Sequence, residues 1–389
     1  MVGWFKLLLP SSMILNWKHF LKFSSLVLLL LLACEYLVYY VVIARCSWPP
    51  LTVDRGAVSD EPTLHAIFLS DPHLLGTRNG HWFDKLRREW QMERSFQSAL
   101  TLFSPDVVFV LGDLMDEGKW SSDKEFQATV ARFRKMFRQG VNGQTHVVVG
   151  NHDIGFHYHT NRDLVERFDQ AFDISSVNII NIKNILFVTV NSVAMENDQC
   201  SMCTDAAFRL VEVSSQLNCS RFGTATGRKG GEQLCNNYEN LPNVAPILLQ
   251  HYPLFRTSDA ECQGVDAAPA ETKYIKFKPT WDTVSKKSSD KLLSYIQPRL
   301  VVSGHTHHGC YVLHNEKTPE ISVPSFSWRN RNNPSFIMMT ITGTSYSFSK
   351  CFIPEESRVI EMYIIGCILI IMWIVFTRRN FFTRHSKKM

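Results

Sequence analysis

Acidic residues are absent from both ends of the chain. The first 25 of its 389 residues contain Lys6, Lys18 and Lys22 but no aspartate or glutamate, and the last 12 contain five basic residues and again no acid. A long apolar run adjoins each of these tails, at 26–44 and at 359–377. Because basic residues beside a membrane span stay on its cytosolic side, we expect two cytosolic tails, 1–25 and 378–389, and a translocated middle.

The excess of positive charge is confined to those tails. Without their eight lysines and arginines, 33 basic residues remain against 36 acidic ones. A nucleic-acid-binding protein concentrates basic residues on its surface. The sequence therefore excludes a basic footprint of that kind, and we expect no nucleic-acid partner.

No small-x-small cleavage site follows the first apolar run. This argues against a cleaved signal peptide, which is the alternative interpretation of 26–44. Each run has 19 residues, close to the roughly 20 that span a bilayer as a helix. Glu35 lies within the first run, and a carboxyl there is either functional or protonated and simply packed. The sequence leaves both roles of Glu35 open.

The chain lacks a second Cys-x-x-Cys pair at zinc-finger spacing beside Cys200 and Cys203. A redox or zinc role for this pair remains open, but structural disulfides are favoured. Eight of the ten cysteines lie between the two apolar runs, an even number typical of an oxidising compartment. Asn218-Cys219-Ser220 is a predicted glycosylation acceptor, which also requires the lumen.

Metal-binding residue types recur in five short motifs. These are Asp71-Pro72-His73, Gly112-Asp113-Leu114-Met115-Asp116, Gly150-Asn151-His152-Asp153, His251 and Gly304-His305-Thr306-His307. Each motif follows a predicted hydrophobic strand, and amphipathic helices alternate with these strands, which indicates an α/β fold. Ligands of such sheets bind beyond the carboxyl ends of the strands, so we expect the motifs to converge on one site.

The motifs offer carboxylate, amide and imidazole ligands but no thiolate. This set suits manganese, iron or zinc better than calcium, which prefers oxygen ligands alone. Together the motifs contain enough of these side chains to bind two divalent cations. Two such cations can activate a water for attack on phosphorus. The sequence therefore predicts a two-metal phosphoesterase.

The order of the motifs resembles that of the calcineurin-like metallophosphoesterase family. The resemblance implies a two-sheet sandwich flanked by helices, here placed between two transmembrane helices. It also implies two metal sites that share Asp113. The first site would use Asp71, His73, Asp113 and His307, and the second would use Asp113, Asn151, His251 and His305.

Four further residues have predicted roles near the metals. His152 would protonate the leaving oxygen, and Asp116 would hold His152 in the required tautomer, unless Asp116 is only a turn cap. Arg329 or Arg331 would contact a phosphodiester oxygen, unless both lie in an exposed loop.

Three stretches resemble a membrane-anchored branch of the family more closely. They are 80–94, 150–158 and 323–336. The likeness implies removal of the ethanolamine-phosphate side branch from the second mannose of GPI anchors, with manganese as the metal. The implied partners are GPI-anchored proteins and cargo receptors of the p24 type. The implied location is the endoplasmic reticulum exit sites, the ER–Golgi intermediate compartment and the cis-Golgi. The likeness also implies a C-terminal lysine signal for return to the endoplasmic reticulum. Here Lys387 is third from the end, but His385 and Ser386 stand where a second lysine is expected.

The predicted organisation is a linker at 45–62 and a luminal catalytic domain at 63–353. Insertions near 196–243 and 256–284 interrupt this domain, and they either select the substrate or stabilise a lid. Two other functions remain open from the sequence. One is a luminal phosphoesterase that acts on a nucleotide or a phospholipid, and the other is a non-catalytic trafficking adaptor.

Overall fold

The chain divides into two compact units in the computed structural model. It describes residues 11–51, 62–140, 143–196, 198, 200–223, 235, 236, 238 and 240–386. One unit comes from the two ends of the chain, and the other is Ile43–Ile353. Most of the predicted linker, part of the insertion near 196–243, and Lys387 and Lys388 lie outside the described residues.

The terminal unit contains two apolar helices that are long enough to cross a membrane. Helix α1 (Ser11–Leu32) continues through a π-helical turn (Ala33–Leu37) into α2 (Val38–Ile43), and α9 spans Glu356–Ser386. The apolar parts are Trp17–Ile43 and Glu356–Thr377, so both exceed the predicted spans.

Glu35 joins these two helices. The Tyr363 hydroxyl donates a hydrogen bond to the Glu35 carboxyl group. Nearby, a Cβ atom at Gly366 would lie 2.3 Å from a methyl group of Leu30, so the helices approach each other closely at this glycine. A packing role for Glu35 is therefore present, and a further function stays a prediction.

Two mixed sheets form the catalytic unit. The first has the order β11-β10-β1-β2-β3 and the second has the order β4-β5-β6-β7-β9-β8. Neighbours β1, β2 and β3 run parallel, as do β5, β6, β7 and β9. The strands are β1 (Leu64–Leu69), β2 (Val107–Leu111), β3 (Gln144–Val148), β4 (Val177–Ile182), β5 (Ile185–Val190), β6 (Ile247–Gln250), β7 (Leu300–Ser303), β8 (Cys310–His314), β9 (Thr318–Ser322), β10 (Ser335–Ile341) and β11 (Tyr346–Phe352).

The sheets pack face to face through one apolar core. Strand β2 has the sequence Val-Val-Phe-Val-Leu and is buried along its whole length, as expected for a parallel strand that is covered on both faces. The rings of Phe109 on β2 and Phe187 on β5 lie 4.7 Å apart across the two sheets. The predicted α/β two-sheet sandwich is confirmed.

Six helices flank the sheets in this unit, among the residues described. They are α3 (Trp82–Phe103), α4 (Asp123–Met136), α5 (Asn151–Ile154), α6 (Arg162–Phe172), α7 (Ser201–Phe222) and α8 (Lys286–Ile296). Ser122 and Glu125 form a capping box at the start of α4, which satisfies backbone N–H groups that the first turn leaves open.

The insertion near 196–243 contains a packed helix. Its first half is α7, which packs against β4 and α8. Ala206, Leu210, Val213 and Leu217 are buried, and their spacing of three and four residues gives one apolar helix face. The cysteines and polar residues around them had obscured this stripe.

All eight cysteines outside the terminal helices form disulfides. The pairs are Cys46–Cys351, Cys200–Cys203, Cys219–Cys235 and Cys262–Cys310. The favoured disulfide role of Cys200 and Cys203 is therefore the one present here. Cys46–Cys351 joins residues that are 305 positions apart, from just after α2 to just before α9.

Removing the Cys46–Cys351 bridge should destabilise the catalytic unit more than removing the Cys262–Cys310 bridge. A cross-link that closes a longer loop removes more entropy from the unfolded chain, and loss of Cys46–Cys351 should cost ~3–5 kcal/mol. Thermal unfolding of the detergent-solubilised C46S/C351S and C262S/C310S variants would measure the difference. An unchanged melting temperature in C46S/C351S would contradict this expectation.

Candidate metal centre

The five motifs meet where β1, β2, β3, β6 and β7 end. Five of their side chains belong to residues with positive φ, between 47° and 71°. These are Asp71, His73, Asp113, His305 and His307. Non-glycine residues adopt this backbone region at a cost, and such residues cluster at functional sites. The loops thus hold these side chains in place against their own backbone preference.

Gly112 shows why a residue without a side chain precedes Asp113. Its φ is 86°, and a Cβ atom there would lie 2.5 Å from Nδ1 of His251. Any larger residue would push the β2 loop away from the β6 loop. The glycine is therefore required for two of the motifs to approach each other.

Four side chains form a first cluster. Oδ1 of Asp71 lies 3.5 Å from Nε2 of His307 and 3.8 Å from Nε2 of His73. Oδ2 of Asp113 lies 3.4 Å from Nε2 of His73. These four residues match the set that the family resemblance implies for one metal.

A second cluster lies on the other side of Asp113. Oδ2 of Asp113 is 3.3 Å from Nε2 of His251, and Nε2 of His251 is 3.0 Å from Oδ1 of Asn151. His305 completes a group with Asp113 and His251 that could hold an ion. Oδ2 of Asp113 thus lies close to both clusters, which suits a bridging carboxylate.

Outer hydrogen bonds fix which ring nitrogen of three histidines faces the clusters. Nδ1 of His251 contacts the Leu111 carbonyl at 2.7 Å, and Nδ1 of His73 contacts Oδ1 of Asp116 at 3.2 Å. In His305 it is Nε2 that contacts a carbonyl, that of Trp281, at 2.6 Å. Each contact leaves the opposite nitrogen available as a ligand.

Several buried atoms in the clusters fit metal ions better than they fit one another. Oδ1 of Asp71 and Nδ1 of His305 are buried without a hydrogen-bond partner. The Nε2 atoms of His73 and His307 face each other at 3.1 Å. Buried polar atoms normally have partners, and a cation would supply one to the unpaired Asp71 oxygen and His305 nitrogen. The donor set therefore fits two divalent ions, and ligation by each residue stays a prediction.

Burial and nearby carboxylates act in opposite directions on the imidazoles. Burial lowers the pKa of His305 to about 3 and, despite the attraction of Asp71, that of His307 to about 4. Burial also lowers the pKa of His73, but Asp116 and Asp71 outweigh it and raise that pKa to about 10. A neutral imidazole is the form that binds a metal, so His305 and His307 are already in that form at neutral pH.

His152 lies beside both clusters with its ring partly exposed. Its backbone N–H donates to Oδ1 of Asp113 at 2.7 Å. Its Nδ1 is 3.0 Å from the backbone carbonyl of Asp116 and 3.4 Å from the Asp116 carboxylate. The carbonyl contact favours a proton on Nδ1, which leaves Nε2 for proton exchange.

Asp116 has more contacts than its predicted role required. Its carboxylate contacts Nδ1 of His73, whereas the closer contact to His152 comes from its backbone. The same carboxylate pairs with Arg329 at 2.8 Å. Asp116 thus orients a candidate ligand and the candidate acid together, and it is more than a turn cap.

The two candidate arginines differ in their positions. Arg329 lies at the edge of the site through its ion pair with Asp116. Arg331 instead contacts the backbone carbonyls of His307 at 2.6 Å and Asp266 at 3.1 Å, and the Asn333 side chain at 3.0 Å. The Arg331 guanidinium thus uses its hydrogen bonds to support the surrounding loops. This arrangement does not favour the predicted contact with substrate.

Sequence reasoning missed two residues that support the centre. Asp153 accepts hydrogen bonds from the backbone N–H groups of Gly150 and Met115, and burial, with the nearby Asp113, raises its pKa to about 7. Its place directly after His152 was a usable signal. Trp281 supplies the carbonyl that contacts His305, but a backbone contact of this kind leaves no signal in the sequence.

The sequence of the catalytic unit matches a known family model. Residues 64–309 match the model described as calcineurin-like phosphoesterase. The chain belongs to the calcineurin-like phosphoesterase family. Together with the two clusters of candidate ligands, this membership makes it a metal-dependent phosphoesterase.

Related proteins match nearly the whole of this phosphoesterase chain. Metallophosphoesterase 1 of Macaca fascicularis is 54% identical over 88% of this chain and 85% of that protein. Metallophosphoesterase 1 of Cricetulus griseus is 50% identical over 91% and 89%. A solved dimetal phosphatase from Danio rerio has a TM-score of 0.40 and 11% identity, covering 75% of this chain and 99% of that one, a likeness too weak to bear on function.

Replacing Asp113 with Asn should remove both metal ions, because the substitution takes a negative charge from both clusters. Metal analysis of purified protein should find about two ions per wild-type chain and fewer than one in D113N. D173N, at the exposed end of α6, is the matched control, since Asn tolerates its positive φ. Full metal content in D113N would rule out the bridging role.

Proposed function

We propose that this phosphoesterase removes the ethanolamine-phosphate side branch from the second mannose of GPI anchors. In this reaction water adds to phosphorus and one P–O bond breaks, which leaves the mannose hydroxyl and phosphoethanolamine. The observation that supports the proposal is the position of His152 beside Asp113, the carboxylate that lies close to both clusters. A sugar alkoxide is a poor leaving group, so a phosphodiester of this kind needs a proton donor.

The residues of the site divide this work among them. Asp71, His73, Asp113, Asn151, His251, His305 and His307 would hold two divalent ions, for which we propose manganese. Such ions supply Lewis acidity and an activated water. His152 donates the proton to the leaving oxygen from Nε2, and Asp116 keeps its ring in place.

The two ends of the catalytic unit support the proposed luminal position. Each end connects within a few residues to an apolar helix, and the disulfides of the unit are typical of an oxidising lumen. We propose that the catalytic unit lies in the lumen of the endoplasmic reticulum exit sites, the ER–Golgi intermediate compartment and the cis-Golgi. GPI-anchored proteins are its proposed substrates, and p24-type receptors would then load them for transport.

Asn218 is compatible with this location but lies in an ordered element. It belongs to α7 and is half-buried, next to the Cys219–Cys235 disulfide. Glycosylation there stays a prediction.

Replacing His152 with Gln should slow hydrolysis of an alkyl phosphodiester about 10²–10⁴-fold, the usual contribution of general acid catalysis. A 4-nitrophenyl ester, whose leaving group needs little protonation, should lose much less. Steady-state kinetics on both esters, with metal content as a check, would measure the split. H81Q, at the exposed start of α3, is the matched control. Equal losses on the two esters would exclude the acid role.

Cells that lack the endogenous activity would test the substrate. We expect mass spectrometry of the GPI glycan to show loss of the second-mannose ethanolamine phosphate with wild type and with D173N, but not with D113N. Localised, expressed wild-type protein that leaves the glycan unchanged would overturn the GPI proposal.

A further inference from the structure

Two aromatic rings form a stacked pair at the edge of the metal centre. Phe156 follows α5, and Trp281 belongs to the segment 256–284. Their ring centroids lie 4.3 Å apart with 29° between the planes. The two residues are distant in sequence, and neither belongs to a metal motif.

Backbone contacts fix this pair to the centre. The Trp281 carbonyl contacts Nε2 of His305 at 2.6 Å. The loop around Trp281 is itself closed, because its N–H donates to the Lys278 carbonyl at 3.2 Å and the Thr280 N–H donates to the Thr283 carbonyl at 2.7 Å. On the other side, the Phe156 ring lies 6.3 Å from the His152 ring, edge-on. The stacked pair is thus within one side-chain length of the candidate acid.

The pair presents apolar surface to solvent beside a polar site. The Trp281 side chain is 44% exposed, although an indole usually buries most of its surface. Phe156 covers one face of the indole and leaves the remainder open. An exposed, immobilised aromatic ring next to a reaction centre is a surface on which a flat, partly apolar group can bind.

Lys119 adds a positive charge to this surface. Its Nζ lies 4.8 Å from the Phe156 ring and 4.7 Å from the Trp120 ring. Among the described residues, no carboxylate lies within ion-pairing distance of this ammonium. Burial lowers the pKa of Lys119, and the more distant Asp113 and Asp116 partly oppose that effect. The ammonium therefore lacks a close anionic partner and can donate a hydrogen bond to a phosphate oxygen.

We propose that Phe156, Trp281 and Lys119 form a subsite that binds the sugar of a sugar phosphodiester. This inference rests on the proposed function and names the residues that select its substrate. One face of a pyranose carries C–H groups that pack on the indole, while the hydroxyl groups on its edge stay in water. Lys119 contacts the phosphate, so it acts on any phosphodiester, whereas Trp281 acts only where a sugar is attached.

Because Trp281 would contact the sugar and Lys119 the phosphate, substrates with and without a sugar distinguish the roles of the two side chains. The full-length protein in detergent would be assayed on three phosphodiesters of ethanolamine, whose second substituent is mannose, methyl or a nucleoside. W281A should raise the KM for the mannose compound about tenfold, which corresponds to ~1.4 kcal/mol. It should lower kcat/KM for the mannose compound much more than for the methyl compound, and W281F should recover most of the loss on the mannose compound.

Lys119 and a second aromatic residue of the same segment provide the comparisons. K119Q should lower kcat/KM on the mannose and methyl compounds alike, and K119R should recover it, because the phosphate is common to both. Y274A is the matched control for W281A, since Tyr274 is exposed in the same segment. We expect Y274A to behave as wild type.

The outcomes distinguish failure of this inference from failure of the proposed function. If wild type hydrolyses the mannose compound and W281A does so equally well, the subsite is overturned and the function stands. Equal losses of W281A on mannose and methyl compounds would also overturn it, because Trp281 would then act only through His305. If wild type prefers the nucleoside compound, the sugar assignment and the proposed function both fail.

Discussion

The desolvation of Asp113 is the constraint on which the site depends. A carboxylate removed from water is costly unless charges of opposite sign surround it. The structure places imidazoles on both sides of this one group and brings the ends of separate strands to it. Two parallel runs of strands, one in each sheet, make this possible, because parallel strands deliver their loops to the same edge. The sandwich can therefore be understood as a frame that carries several loops to one buried charge.

The sequence predicted those features that depend on residue type and local spacing. Strands β2 and β5 are short β-branched runs between turn residues, a pattern that predicts a strand and admits few alternatives. The metal motifs were also predicted from the sequence, since each places metal-binding residue types directly after a strand. The sequence did not predict helix α7, because cysteines and polar residues lie between the apolar residues of its buried face. The helical spacing of those apolar residues became clear only from their packing on β4.

The surroundings of the site were predicted less well, for a different reason. Which acceptor orients His152 depends on whether a carbonyl or a carboxylate of Asp116 lies closer, and the residue name alone does not decide this. Arg329 and Arg331 are two positions apart and chemically identical, yet one pairs with Asp116 and the other supports the loop of His307. Distances between side chains from distant segments decide such roles, and sequence spacing contains none of them.

The Cys46–Cys351 bridge makes the catalytic unit a covalently closed ring. The two apolar helices of the terminal unit connect to the ring next to the bridge, one on each side of it. A single cut by a protease inside the ring would therefore not release a fragment, because each half would stay attached to an apolar helix and, through the bridge, to the other half. Release of a fragment would need two cuts inside the ring. Reduction of the bridge after a single cut would only separate the two halves from each other, so the redox state of the compartment controls whether a nicked molecule stays covalently joined.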